Sequence, residues 1–322
     1  MRIARPSVPS FALGRMLART RRLLAALGLL AVGAPAAAVA DPQALPTPVA
    51  AGLEPAPLRP ALWVVADDDT RIYLFGTIHA LRPGLPWFDG AVAQAFESSD
   101  ALVTEIADIG SLDTAQVLLN KAMLPAGHSL RDKLSPEERA GYEAALARVG
   151  MPAAALDRVK PWYAAVVLSS LPLLRAGYKL DEGVEIQLAS RAKKSGKSQD
   201  ALETAAYQLG LFDSLSEPSQ LAYLRQVIAN TDKIIAQIDT LIAEWGDGDA
   251  EGLAAQMNAD TSDPELVEVL LGRRNRLWAE WIATRLDRPG TVFVAVGAGH
   301  LAGPGSVQDA LTTRGIAARR VQ

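Results

Sequence analysis

The hydrophobic positions of this chain fall into two patterns. Three short runs are apolar almost throughout and rich in β-branched or aromatic residues: Ile72-Tyr73-Leu74-Phe75, Ala101-Leu102-Val103-Thr104 and Val292-Phe293-Val294-Ala295-Val296. Runs of this length and composition predict strands buried on both faces, as in a parallel sheet. Between the second and third runs, from about 109 to 264, the period changes. Leu221, Leu224, Val227, Ile228, Ile234, Ile235, Ile238 and Leu241 recur at three- and four-residue spacings across 217–245, which predicts amphipathic helix. Ser135-Pro136-Glu137-Glu138 is a helix start, with an N-cap serine, proline at the first helical position and a capping-box glutamate. Ala201-Leu202-Glu203-Thr204 reads as one more short strand ending in a carboxylate. The expected architecture is α/β: strand-loop-helix units forming a central sheet, with a large helical insertion that packs beside the sheet and walls its cleft.

The first and last strand runs end in the same phrase, G-x-x-H: Gly76-Thr77-Ile78-His79 and Gly297-Ala298-Gly299-His300. Each is followed by a Gly/Pro loop (Arg82-Pro83-Gly84, Gly303-Pro304-Gly305), an N-cap candidate (Asp89, Ser306) and a short helical stretch. Two of the three histidines therefore stand at matched points, while His128 has no counterpart and is expected in a loop. Ligands of open α/β sheets bind beyond the carboxyl ends of the strands. His79 and His300 are expected to meet there, joined by Glu105 at the end of its own strand. Two imidazoles and a carboxylate are the ligand set of a catalytic metal site that keeps a position open for water, though a metal-free His/Glu pair gives the same pattern. Glu203 at a strand end is a further candidate, ahead of Glu185. Arg274 and Asn275 begin a helix whose apolar face carries Trp278 and Trp281. They are candidates for contacts to an anion or a carbonyl, a surface salt bridge being the plain alternative. The helix from Ser306 is expected to offer its positive N-terminus to an oxyanion.

Residues 1–40 read as an export signal: Arg15, Arg19, Arg21 and Arg22 precede an apolar run that ends in Ala38-Val39-Ala40, with cleavage expected before Asp41. Gly33 and Pro35 interrupt the run, so no stable membrane insertion is expected after cleavage, and the expected location is the periplasm. Residues 41–60 read as a Pro/Ala-rich linker, and 61–322 as a single α/β domain. The chain has no cysteine, so its core is built without disulfides. A net charge of −4 and a pI near 5.5 argue against nucleic acid as a partner.

These phrases together resemble the TraB/PrgY/GumN family, which includes the TIKI proteases. The match runs through Leu74-Phe75-Gly76-Thr77-Ile78-His79, the strand ending at Glu105, Lys160-Pro161-Trp162, Gly183-Val184-Glu185, Leu202-Glu203-Thr204, Arg274-Asn275 with Trp278, and Val296-Gly297-Ala298-Gly299-His300-Leu301. The family usually has Asp where Glu185 stands. The resemblance implies a two-repeat α/β fold related to erythromycin-esterase-like and ChaN-like proteins. It also implies a metal-dependent hydrolase acting on a peptide or protein substrate, with manganese or cobalt favoured and zinc admitted. Carried over by position, the catalytic and metal-ligating residues are His79, Glu105 and His300. The alternatives are a metal-free His/Glu hydrolase of the erythromycin-esterase type and a non-catalytic peptide- or pheromone-binding protein.

Overall fold

The computed structural model describes residues 57–107, 112–258 and 263–322; the expected export signal and most of the expected linker lie outside the described residues. Six strands form one sheet in the order β4-β3-β5-β2-β1-β6: β1 (Leu62–Ala66), β2 (Thr70–Thr77), β3 (Ala101–Ile106), β4 (Ser198–Glu203), β5 (Gly290–Gly297) and β6 (Arg319–Arg320). The four strands β4, β3, β5 and β2 run parallel, while β1 is antiparallel to both β2 and β6. All four parallel strands thus end at the same edge. The C-terminal repeat strand β5 is inserted between β2 and β3, and both β2 and β5 read as unbroken apolar runs because each is covered on both faces.

Alternation along β5 separates the two faces. Phe293 and Ala295 point into a core shared with Phe75, Trp87, Phe96, Val184, Leu188, Leu241 and Trp245. Val292, Val294 and Val296 point into the opposite core, with Ile72, Leu74, Val103, Trp278, Ile282 and Leu311. The result is three layers, helix on sheet on helix. The helical stretch between β3 and β5 adds a third core of its own, centred on Tyr142, Trp162, Leu168, Leu209, Phe212, Leu224 and Val227, so the insertion is a packed lobe beside the sheet. That stretch also carries β4, which returns to the sheet as an edge strand.

Local signals in the sequence are realised in detail. Asp89 caps the Gly90–Ser98 helix, and Ser135 and Glu138 form both halves of a capping box on the Pro136–Arg148 helix. The periodic stretch 217–245 is two helices, Glu217–Asn230 and Ile234–Gly246, because the polar run Asn230-Thr231-Asp232-Lys233 breaks it. The last residues of the expected linker are already bound: Leu58 N donates to Pro86 O at 3.0 Å, and the Leu58 side chain packs on the first of the three cores. Among the described residues, no helix is long and apolar enough to cross a membrane.

Candidate active site

The register of the sheet brings the two G-x-x-H phrases side by side, since Gly76 pairs with Val296 and Thr77 with Gly297. Thr104 pairs with Ala295 on the other side of β5, so Glu105 comes level with the second phrase. The point of convergence is Gly297. A Cβ placed there would lie 3.1 Å from Glu105 Oε1, 3.6 Å from His300 Cδ2 and 3.7 Å from His79 Nε2. Its φ of −49° is open to any residue, so the glycine answers to crowding by the three side chains rather than to backbone conformation. Gly76 has the same kind of reason, as a Cβ there would meet Ala298 Cα at 3.0 Å.

Arg274 ties the cluster together. A π-helical turn over Glu268–Gly272 leads into the Arg273–Leu286 helix and places Arg274, only 5% exposed, over the ends of β3, β4 and β5. Its NH2 donates to Glu105 Oε2 at 2.6 Å and to Glu203 Oε2 at 3.0 Å, and its Nε to Glu203 Oε1 at 2.9 Å. Its NH1 donates to the Leu270 carbonyl at 3.1 Å and to His300 Nε2 at 2.9 Å. Both oxygens of Glu105 are satisfied, because Oε1 accepts from Gly297 N at 2.7 Å and Oε2 also accepts from Gln208 Nε2 at 2.7 Å. Trp278 Nε1 donates to Glu203 Oε1 at 3.0 Å, and the Trp278 ring lies 4.3 Å from the His300 ring centroid.

The hydrogen bonds assign the tautomer of each imidazole. Asn275 Nδ2 donates to Gly305 O at 2.7 Å, which turns its Oδ1 toward His300 Nδ1 at 2.6 Å. His300 therefore carries its proton on Nδ1 and accepts from Arg274 on Nε2. Burial, reinforced by the Arg274 charge, pushes its pKa down to about 3, so it is neutral. His79 is held differently. Its Nδ1 lies 2.6 Å from Glu185 Oε1, and Thr77 Oγ1 donates to the same oxygen. Burial works to lower the His79 pKa, but Glu185, helped by Glu105, outweighs it and raises the value to about 9. Glu105 is held well below the ordinary carboxylate range: burial opposes its charge, and Arg274 together with the two histidines and the Gly297 N–H overcomes that. Burial raises Glu203 despite Arg274.

Every candidate named from the sequence, His79, Glu105, His300, Arg274, Asn275 and Glu203, stands in this one cluster. His128 is an exposed loop residue. The helix from Ser306 is capped by its own residues, Ser306 Oγ accepting from Asp309 N and Asp309 Oδ2 from Gly305 N. Two further members complete the cluster: Glu185, which residue type alone places behind Glu203, orients His79, and Gln208, which carries no signal in the sequence, bridges Glu105 and Glu203. A side pocket opens at His79, floored by Thr77–Ala80 and Gly297–Gly299, with apolar walls from the insertion helices and about 510 Å³ of space including its mouth.

A metal ion held by His79, Glu105 and His300 needs their lone pairs turned to one point. Here Arg274 already engages His300 Nε2 and Glu105 Oε2, and the described residues contain no group of three or more His, Asp or Glu set to hold a metal. As arranged, the donor set does not fit a metal ion, and a protein cation stands where one would be needed.

Fold and site define an α/β protein with a buried His/Glu/Arg cluster at the carboxyl edge of a parallel sheet. The chain belongs to the TraB/PrgY/gumN family, whose model matches residues 61–320. It is similar to the Uncharacterized protein YbaP of Escherichia coli (strain K12), 25% identical over 78% of this chain and 92% of that protein. It is similar to an uncharacterized protein of Treponema pallidum (strain Nichols), 23% identical over 78% of this chain and 80% of that protein. It is also similar to the Metalloprotease TIKI1 of Danio rerio, 23% identical over 80% of this chain and 62% of that protein. No solved structure was found to match it significantly.

Proposed function

We propose that the protein is a hydrolase of ester or amide bonds in which His79 moves the proton. One observation carries this reading: Glu185 grips Nδ1 of His79 while Nε2 lies beside Gly297 at the floor of a pocket. Environments that push neighbouring titratable groups apart divide the acid–base roles among them. Glu105 and Arg274 keep their charges and His300 stays neutral, which leaves His79 as the group that takes and gives a proton around pH 9.

In the proposed step, His79 Nε2 takes a proton from water as the water oxygen bonds to the substrate carbonyl carbon. When the tetrahedral adduct collapses, its bond to the leaving oxygen or nitrogen breaks and that atom takes the proton back from Nε2. Glu185 holds the ring and stabilises the imidazolium. Glu105, with both oxygens occupied, acts as a fixed charge rather than as the base.

A second reading, the metal-dependent peptidase with manganese or cobalt, rests on the similarity to a protein named a metalloprotease. It needs His300 and Glu105 released from Arg274. Site of action is a further proposal: residues 1–40 support export to the periplasm. The test is turnover of esters and peptide amides by the dialysed protein, beside Glu185→Gln. Activity that survives chelation and collapses in Glu185→Gln supports the proposal, activity strictly dependent on added metal favours the second reading, and binding of peptides without turnover favours a non-catalytic role.

A further inference from the structure

We propose that the pocket beside His79 is a subsite for an uncharged aliphatic group flanking the scissile carbonyl, and so sets the substrate class. This rests on the hydrolase reading. The side chains along its walls are Leu173, Ile238, Leu241, Leu253 and Met257, drawn from three helices of the insertion. Its other end is made by the backbone of Gly297-Ala298-Gly299, where only the Ala298 methyl projects. Thr77, the one hydroxyl in the lining, is committed to Glu185. Polar side-chain function in the pocket is thereby confined to His79, at the reacting end. A charged group entering would lose its hydration with no charged partner along the walls, whereas each methylene gains by leaving water.

The walls are also held at a fixed distance from the chemistry. Trp245, on the same helix as Ile238 and Leu241, donates from Nε1 to the carbonyl of Gly76 at 2.8 Å, at the strand end that leads to His79. Tyr178, beyond the helix that carries Leu173, donates to Asp239 on that same Ile234–Gly246 helix. The pocket is thus a slot whose walls are tied to the strand end by hydrogen bonds, and an apolar slot discriminates by chain length and branching.

The test uses two ester series with the full-length protein, one lengthening the acyl chain and one the alcohol, and separately the binding of hexanamide against acetamide by calorimetry. In one of the two series kcat/KM should rise about fourfold per added methylene up to six carbons, and hexanamide should bind on the order of 100-fold tighter than acetamide. Ile238→Phe, which fills the slot, should erase both gains. If Ile238→Phe fails to fold, the amide comparison on the unsubstituted protein decides alone. Esters turned over without dependence on either chain, with equal binding of the two amides, would overturn the subsite and leave the hydrolase reading standing. Tight hexanamide binding with no ester turned over would do the reverse.

Discussion

Arg274 donates from NH1 to Nε2 of His300 at 2.9 Å, so the lone pair that a metal ligand would offer is turned toward a cation built into the protein. The same guanidinium pairs with both Glu105 and Glu203, and all three side chains are almost wholly buried. Removing one partner of a buried charge set leaves the others uncompensated, at a cost of roughly 3–5 kcal/mol. Arg274→Met should therefore melt well below the unsubstituted protein. The purified protein should retain no stoichiometric manganese, cobalt or zinc after dialysis, while Arg274→Ala should gain thermal stability from added manganese or cobalt that the unsubstituted protein does not. One equivalent of metal by elemental analysis in the unsubstituted protein would overturn the metal-free reading.

Glu185 and His79 form one device, and Glu185→Gln should lower kcat by roughly 10² to 10⁴ through loss of the imidazolium's partner. The test is a steady-state comparison with Glu203→Gln. That change weakens the Arg274 network and should move the melting temperature more than kcat. Equal kcat losses in the two variants would mean that His79 has no special partner in Glu185.

The pH dependence follows from His79. Its folded pKa of about 9 lies above the ordinary 6.5, so the folded protein holds this proton more tightly than the unfolded chain. The stability contributed by the His79–Glu185 pair is complete below pH 6.5 and is lost as pH rises through about 9. Activity runs the other way, because Nε2 has to be free: kcat/KM should climb with pH and level off above about 9. His300, held down to about 3, adds stability above pH 6.5 that drains away as pH falls toward 3. A kcat/KM profile flat from pH 6 to 10 would remove His79 as the base.

Two glycines should separate packing from chemistry. A Cβ at Gly183 would lie 2.3 Å from the His79 carbonyl oxygen, so Gly183→Ala has to push away the helix that carries Glu185. It should reproduce the kinetic defect of Glu185→Gln. Gly297→Ala should lower kcat while costing roughly 1–3 kcal/mol in stability, since a methyl there crowds Glu105 and His300. Wild-type kinetics in both variants would mean that the site tolerates displacement on the scale of a methyl group.

The sheet and the convergence of His79, Glu105 and His300 were legible because each depends on local signals: an apolar run, a glycine, then a functional residue at the strand's end. Capping residues such as Asp89 and Ser135 were legible for the same reason. The roles of Glu185 and Arg274 were not. Glu185 sits in the first turn of a helix, where an acid is ordinarily explained by the helix dipole, and its contact with Thr77 spans 108 residues of chain. Arg274 opens an ordinary amphipathic helix, and only the folded sheet shows that Glu105, 169 residues away, waits for it. Residue types and spacing point to a metal at His79, Glu105 and His300, and they carry no information about the Arg274 side chain that engages His300 and Glu105.

The position of β5 between β2 and β3 has a consequence in time. The last of the four parallel strands to be made is the one that fills the centre of the sheet, and it brings with it Gly297 and His300. A chain halted on the ribosome before Gly290 has β2 and β3 but nothing to join them, so each presents an unpaired edge while the helical lobe that follows β3 is already synthesised. Such a stalled chain should be cut readily by protease around β2 and β3 yet protected in the buried helices of the lobe, and the finished protein protected at both strands. The cluster around Gly297 is then complete only when β5 has been made and has entered the sheet.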